Sequence, residues 1–301
     1  MADTYQGSLF SGDFLSDSIT RLPDWAEVSE QDINALSADL GSIFASFPSK
    51  QSPNEAQTED DLIWKVLGAI GWTAYLRQQN LAPRGREDVP DGLLFENDAA
   101  KAQANKTREE WRRYEFGLAL VESKRWNRPL DRRSGQRGEE TAPSTQMLRY
   151  LRRVDDLTTG KLRWGILTNG ARWRLYYQGS RSVAEHFFEI DLAQLLGIDG
   201  YGSGLFALNE VQRAHSLKVF YLIFRQAAFV GTASDARTFH QRALDEGRYY
   251  EERVAANLSN LVFGEVFPKL VRAIESAAPH TPLQEVRQAS RISPITRIAY
   301  G

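Results

Sequence analysis

Residues 162–178, LRWGILTNGARWRLYYQ, set two alternating apolar runs on either side of Asn169-Gly170, and a chain that contains them is committed to a β-hairpin. Asn and Gly tolerate the left-handed backbone that tight hairpin turns demand, so this is the strongest short-range signal in the sequence. Two further apolar runs precede it. GLLF (92–95) follows Val89-Pro90-Asp91, and EFGLALVESK covers 115–124; both read as adjacent strands of a mostly buried sheet. Between them, DAAKAQANKTREEWRRY (98–114) is polar and predicts a loop or short helix.

Helix signals separate these runs. From Thr58, TEDDLIWKVLGAIGW has a capping Thr, acids that suit the positive end of a helix, and Leu62, Ile63, Val66, Leu67 and Ile70 at helical spacing. A basic loop, RPLDRRSGQRGEETAP (128–143), closes at Pro143, where PSTQMLRYLRRVDDL starts a helix with Ser144 or Thr145 near its cap. The order is helix, strand, strand, helix, strand, strand, with a last strand in HFFEIDLAQLLG (186–197) running into a helical turn. This predicts an α/β fold: a small mixed β-sheet flanked by helices, followed by a helical C-terminal domain.

The flanks differ in texture. Residues 1–57 are rich in Asp, Ser and Pro and predict a loose acidic arm with one short helix near 31–47, broken at PSKQSPNEAQ. The folded core is expected over 58–200. After GIDGYGSG, a linker candidate, helical segments near 209–229 and 236–276 predict a separate connector domain over 201–301, kinked at Pro268. Residues 279–301 carry no core pattern, and the chain is expected to be one piece of a longer protein.

Composition removes whole classes of chemistry. With 301 residues, 42% hydrophobic and 25% charged, the chain has the balance of a soluble globular protein. No apolar run reaches the roughly 18 residues of a membrane span, and the N-terminus lacks a signal peptide pattern, so a cytoplasmic protein away from membranes is expected. There is no cysteine, and the four histidines show no ligand spacing. Any metal must therefore be held chiefly by oxygen, which favours a hard cation such as Mg²⁺.

The net charge of −2 hides an asymmetry. Residues 1–61 carry two basic side chains against twelve acidic ones, whereas residues 101–153 carry fourteen against seven. Arginines interleaved with Trp111, Tyr114 and Trp126 in the basic stretch suit a phosphate backbone, because guanidinium neutralises phosphate and flat rings stack on bases. A solvated, salt-bridged surface has the same composition. Arg125, Arg128, Arg132, Arg133 and Arg149 are the candidate DNA contacts.

Asp91 heads one strand and Glu122-Ser123-Lys124 ends the next. Alternate residues of a strand share a face, so Glu122 and Lys124 point one way and Ser123 the other. If both acidic ends meet at one edge, Asp91, Glu122 and the Ser123 main-chain carbonyl would hold a divalent cation, and Lys124 would orient or deprotonate the attacking water. The plain alternative is a strand end entering solvent beside an ordinary Pro-Asp-Gly turn. Three features weigh against it: the acidic cluster Glu59-Asp60-Asp61, Gln146 and Tyr150 one helical turn apart, and the basic segment around the pair.

The ordered set of acidic helix, VPDGLLF, ALVESKRW, TQMLRYL and WGILTNGARWRLY resembles the PD-(D/E)XK nuclease superfamily over about residues 55–200. It is most similar to the N-terminal nuclease domains of type IIG restriction–modification enzymes and to type I restriction motor subunits. The resemblance implies a restriction-endonuclease-like core that cuts double-stranded DNA with Mg²⁺, Mn²⁺ substituting, in defence against phage DNA. It makes Asp91 and Glu122 metal ligands, Lys124 the catalytic lysine, Glu59 the helix acid assisting the metal, and Gln146 and Tyr150 the QxxxY element beside the site. The S-adenosylmethionine loop and the (N/D)PP(Y/F) motif of type IIG chains do not occur in the sequence, nor does a phosphate-binding GxxxxGK[ST] loop. Methylation and sequence recognition would then belong to a further part of a longer chain or to a partner. A catalytically silent DNA-binding or assembly module of such a complex, and a protein–protein scaffold, are the alternatives.

Overall fold

In the computed structural model, which describes residues 4–133, 141–198, 208–233 and 235–277, seven strands form one mixed sheet. They are β1 (Tyr5–Gln6), β2 (Tyr75–Arg77), β3 (Gly92–Leu94), β4 (Ala119–Ser123), β5 (Trp164–Thr168), β6 (Arg172–Tyr177) and β7 (Phe187–Asp191). Their spatial order is β1-β7-β6-β5-β4-β3-β2. Only β4 and β5 run parallel. A parallel neighbour requires a crossover, and the helix over Pro143–Thr158 lies between the two in sequence. The mixed α/β architecture expected from the sequence is present. Two strands were not legible: β1 and β2 are two and three residues long, too short to show a period.

The main helices are α1 (Glu30–Ser46), α2 (Glu55–Thr58), α3 (Trp64–Ala69), α4 (Asp98–Lys106), α5 (Pro143–Thr158), α6 (Glu210–Phe224), α7 (Phe239–Asn260) and α8 (Phe267–Ala277). Between α2 and α3, Glu59–Ile63 form a π turn. The polar stretch after β3 is resolved as helix α4, capped by Asn97, whose side chain accepts from Ala100 N at 2.9 Å.

Strand alternation divides the core into two layers. Ala119, Val121, Ile166, Trp173 and Leu175 point to one face, and Leu120, Leu167 and Tyr176 to the other, where Met147, Tyr150, Leu151 and Val154 of α5 cover them. The first face is covered by segments that the sequence reading set apart. Leu9, Phe10, Phe14, Leu15 and Ile19 are buried, as are Ile33, Leu36, Leu40 and Phe44 along α1. A loose acidic arm over 1–57 is therefore corrected: most of its charges lie outward, Asp24 is buried against Arg242, and its apolar residues supply the cover that one face of the sheet needs. Helix α6 joins the same layer, with Leu217, Phe220 and Phe224 buried and Phe220 and Phe224 against Trp173, so it belongs to the core and not to a separate connector.

The chain divides into two units, Met1–Gly247 and Arg248–Gly301, and the sheet lies in the first. The described part of the second is helical and includes a π turn over Leu261–Val266 just before Pro268. Pro268 is the second residue of α8, where a missing backbone N–H is tolerated, and the helix continues through it to Ala277 without the expected kink. The GYGSG stretch, residues 134–140 of the basic loop and residues 279–301 lie outside the described residues.

Candidate active site at the β3–β4 edge

Register builds the site. Gly92 pairs with Val121 in the antiparallel β3–β4 ladder, so the residue before Gly92, Asp91, faces the residue after Val121, Glu122. Gly92 is a strand residue here and not part of a turn: a Cβ on it would stand 2.5 Å from the Trp64 ring and 3.2 Å from the Val121 side chain. Only glycine lets the backbone carrying Asp91 pass this close beneath Trp64.

Asp91 is fixed by the neighbouring strand. Its Oδ2 accepts from Ser123 N at 2.8 Å and lies 2.9 Å from Ser123 Oγ. The same hydroxyl lies 2.7 Å from Glu59 Oε1. One hydroxyl proton serves one carboxylate at a time, so Asp91, Ser123 and Glu59 form a hydrogen-bonded set into which one further proton fits. The Asp91 carboxyl is pushed up to about 6 by burial, with the Lys124 charge opposing and the Glu59 charge adding to the rise.

Glu122 and Lys124, on the face of β4 away from the Ser123 side chain, meet within reach of the Asp91 charge. Lys124 Nζ donates to Glu122 Oε1 at 2.5 Å, and both residues are buried. Glu122 Oε2 is buried without a hydrogen-bond partner. Burial pushes the Glu122 carboxyl up to about 8, and the charge of Asp91 adds to this while Lys124 opposes it. Burial works against the Lys124 ammonium, yet Glu122, Glu55 and Asp91 hold its pKa above the usual lysine value. Lys124 N also donates to Thr168 O at 2.8 Å, so the end of β4 is tied to the start of the hairpin turn.

That turn is locked by its own side chains. Asn169 Oδ1 accepts from Ala171 N at 3.1 Å and Arg172 N at 2.7 Å, and its Nδ2 donates to Arg128 O at 2.8 Å. Gly170 has φ +83°, and a Cβ there would meet Leu62 at 2.6 Å. The hairpin expected at Asn169-Gly170 is thus present, and it also anchors the segment that leaves the site.

The remaining candidates are distributed unevenly. Gln146 Nε2 donates to the Tyr150 hydroxyl at 2.8 Å, and the Tyr150 pKa is raised by burial and then by the charge of Glu122, which puts this pair on the Glu122 side. Glu59 is on the Ser123 side, because Ser123 alternates with Glu122 along the strand. Its second oxygen takes Arg77 at 2.5 Å, so Glu59 holds Ser123 and does not join Glu122 and Lys124. Arg132 and Arg133 are exposed and Arg125 is half-buried. Arg149 reaches Asp88 at 2.9 Å. Arg128 is 4% exposed, which withdraws it from the open surface expected of a DNA contact.

Two functional neighbours were missed by the sequence reading. Glu55 on α2 places Oε1 3.6 Å from Lys124 Nζ; its spacing of four from Glu59 was the available signal. Arg77 lies on β2, the strand too short to be read. Among the described residues no group of three His, Cys, Asp or Glu side chains is arranged to hold a metal ion. Asp91 and Glu122 lie opposite one another in register at one sheet edge, and with the Ser123 carbonyl they are the oxygen donors this edge could offer a hard cation. Among the described residues no helix is long and apolar enough to cross a membrane. Comparison with protein-family models, with curated proteins and with solved structures finds no match to this chain.

Proposed function

We propose that this chain is a Mg²⁺-dependent DNA endonuclease with a restriction-endonuclease-like core, hydrolysing phosphodiesters of double-stranded DNA. Glu122 carries this reading: a carboxylate 1% exposed at a strand end, one oxygen on Lys124 and the other unpartnered, opposite Asp91 in register. Burying such a group is costly and finds its reason in a ligand that the free oxygen would bind. Asp91, Glu122 and the Ser123 main-chain carbonyl would hold Mg²⁺, with Mn²⁺ as a substitute. A bound cation of this kind lowers the pKa of water and offsets charge growing on a phosphodiester.

The side chains divide the remaining work. Ser123, held by Glu59, sets the orientation of Asp91. Lys124, kept protonated, serves as a donor that steadies the developing phosphate charge and orients the water, and its raised pKa argues against a role as the base. Gln146 and Tyr150 flank Glu122 from α5. Arg125, Arg132, Arg133 and Arg149 supply positive charge for the DNA backbone. A methyltransferase and specificity module, in a longer chain or a partner, would give such a nuclease its target, and a cytoplasmic setting in phage defence follows from the same proposal.

The test is cleavage of supercoiled plasmid by the full chain with Mg²⁺ or Mn²⁺, against EDTA and against Asp91→Ala and Glu122→Ala. Metal-dependent nicking that both variants lose is the expected result. DNA binding that ignores metal, with no cutting, would move the chain to the silent DNA-binding module.

A further inference from the structure

Glu55 is a carboxylate that reaches Lys124 of the buried site while part of its side chain stays in solvent. It is the first residue of α2, after the capping residue Asn54, and its side chain is 41% exposed. Three donors converge on it. Lys124 Nζ lies 3.6 Å from Oε1, the Arg125 main-chain N lies 3.4 Å from Oε2, and Arg128 Nη1 lies 4.0 Å from Oε2. Lys124 and Arg128 are both buried, with side chains 5% and 4% exposed, so the positive charges are built into the fold and do not sample solvent.

An ammonium, a backbone N–H and a guanidinium around one pair of oxygens is a cradle for a tetrahedral oxyanion as much as for a carboxylate. The distances are looser than the 2.5 Å contact between Lys124 and Glu122, and Glu55 sits on a four-residue helix with its side chain partly in water. Such a carboxylate exchanges more readily than the buried one.

We propose that Lys124, the Arg125 backbone N–H and Arg128 form a phosphate subsite for the nucleic-acid backbone, and that Glu55 occupies it in the free protein as a stand-in anion. DNA entry then requires Glu55 to swing outward and a phosphate to take its donors. This rests on the nuclease reading for the identity of the phosphate, and it adds a binding site and a latch at that site. It also gives Arg128 a role that its burial alone does not suggest: it serves a phosphate that enters the cradle, not one that passes over the surface.

The experiment measures binding of the full chain to a labelled DNA duplex by fluorescence anisotropy in EDTA over a range of salt. Wild type is compared with Glu55→Gln and Glu55→Ala, and each change is repeated in the Lys124→Ala background. Both Glu55 variants should bind more tightly, with log K against log salt steeper by about 0.9, as one more phosphate is neutralised. In the Lys124→Ala background the gain should shrink, because a donor of the cradle is missing. Unchanged or weaker binding by both Glu55 variants overturns the latch, and so does a gain of equal size without Lys124. If wild type binds duplex and the variants gain nothing, the latch alone fails. If no form of the chain binds duplex, the nuclease reading fails with it.

Discussion

The Lys124 ammonium and Glu122 Oε1 stand 2.5 Å apart, with side chains only 5% and 2% exposed. A pair this deeply buried is weak evidence for stability, because desolvation offsets the attraction, but removing one partner exposes the full cost of the other.

Lys124→Ala therefore has two effects. Cleavage should be lost, and the chain should be destabilised by about 3–5 kcal/mol at pH 10, because without Lys124 the Glu122 carboxyl titrates above its value of about 8 and is buried either as an unpaired anion or with a proton that the unfolded chain has given up. At pH 5 Glu122 keeps its proton, and the loss is smaller. Urea unfolding at the two pH values checks this; an equal loss at both would remove Glu122 as the cause.

Asp91 and Glu122 reach about 6 and about 8 in the fold, above the ordinary 3.8 and 4.5. Across that window the folded chain holds more protons than the unfolded one, so the contribution of these groups is complete at low pH and is lost as pH rises through their folded values. The metal-free protein should lose stability between about pH 4 and 8, and Asp91→Asn should recover about 1 kcal/mol or more at pH 8, since each pKa unit is worth about 1.4 kcal/mol. A melting profile flat across the window would contradict the burial of these carboxyls.

Mg²⁺ should reverse that loss. A cation binding only the folded chain raises Tm by mass action, and it competes with the protons on Asp91 and Glu122. The Tm gain should be larger at pH 8 than at pH 6 and should disappear in Glu122→Ala. Calorimetric titration in buffers of different ionisation enthalpy would detect the released protons.

Asn169→Ala removes the acceptor for Ala171 N and Arg172 N and the donor to Arg128 O. The expected cost is about 2–3 kcal/mol, because buried main-chain groups are left unpaired. Cleavage should fall as well, since Thr168, the neighbour of Asn169, holds the backbone of Lys124. Retained stability in thermal melts would show that the turn is fixed by Gly170 alone.

The arginines should separate by burial. Arg132→Ala and Arg133→Ala are expected to weaken duplex binding and to lower the salt slope by about 0.9 for each phosphate contact removed, without loss of stability. Arg128→Ala, at a buried position, should lose stability in addition to duplex affinity. A duplex titration paired with a melting curve for each variant distinguishes the two classes.

Much of the central fold was legible because local chemistry and tertiary need coincide there. Asn169-Gly170 specifies a turn whatever surrounds it. Alternation along ALVES placed Glu122 and Lys124 on one face and Ser123 on the other, and the structure keeps that division. The strand spacing brought Asp91 to the right edge, although the sequence could not supply the register that sets it opposite Glu122. The acidic residues of 1–57 pointed to a solvated arm, and they misled because charge describes the outside of a segment, while Phe10, Phe14, Leu36 and Leu40 decide where its inside goes.

The sequence by itself determined the hairpin, the helix starts, the two faces of β4 and the absence of thiol chemistry, since each depends on near neighbours or on composition. Tertiary structure alone decided that α1 and α6 cover one face of the sheet, that Glu59 serves Ser123 instead of meeting Glu122, and that Glu55 closes on Lys124. These contacts join residues far apart in the chain, or choose between equivalent acids on one helix. Their outcome depends on which groups packing removes from water, and that is fixed only when the whole core has formed.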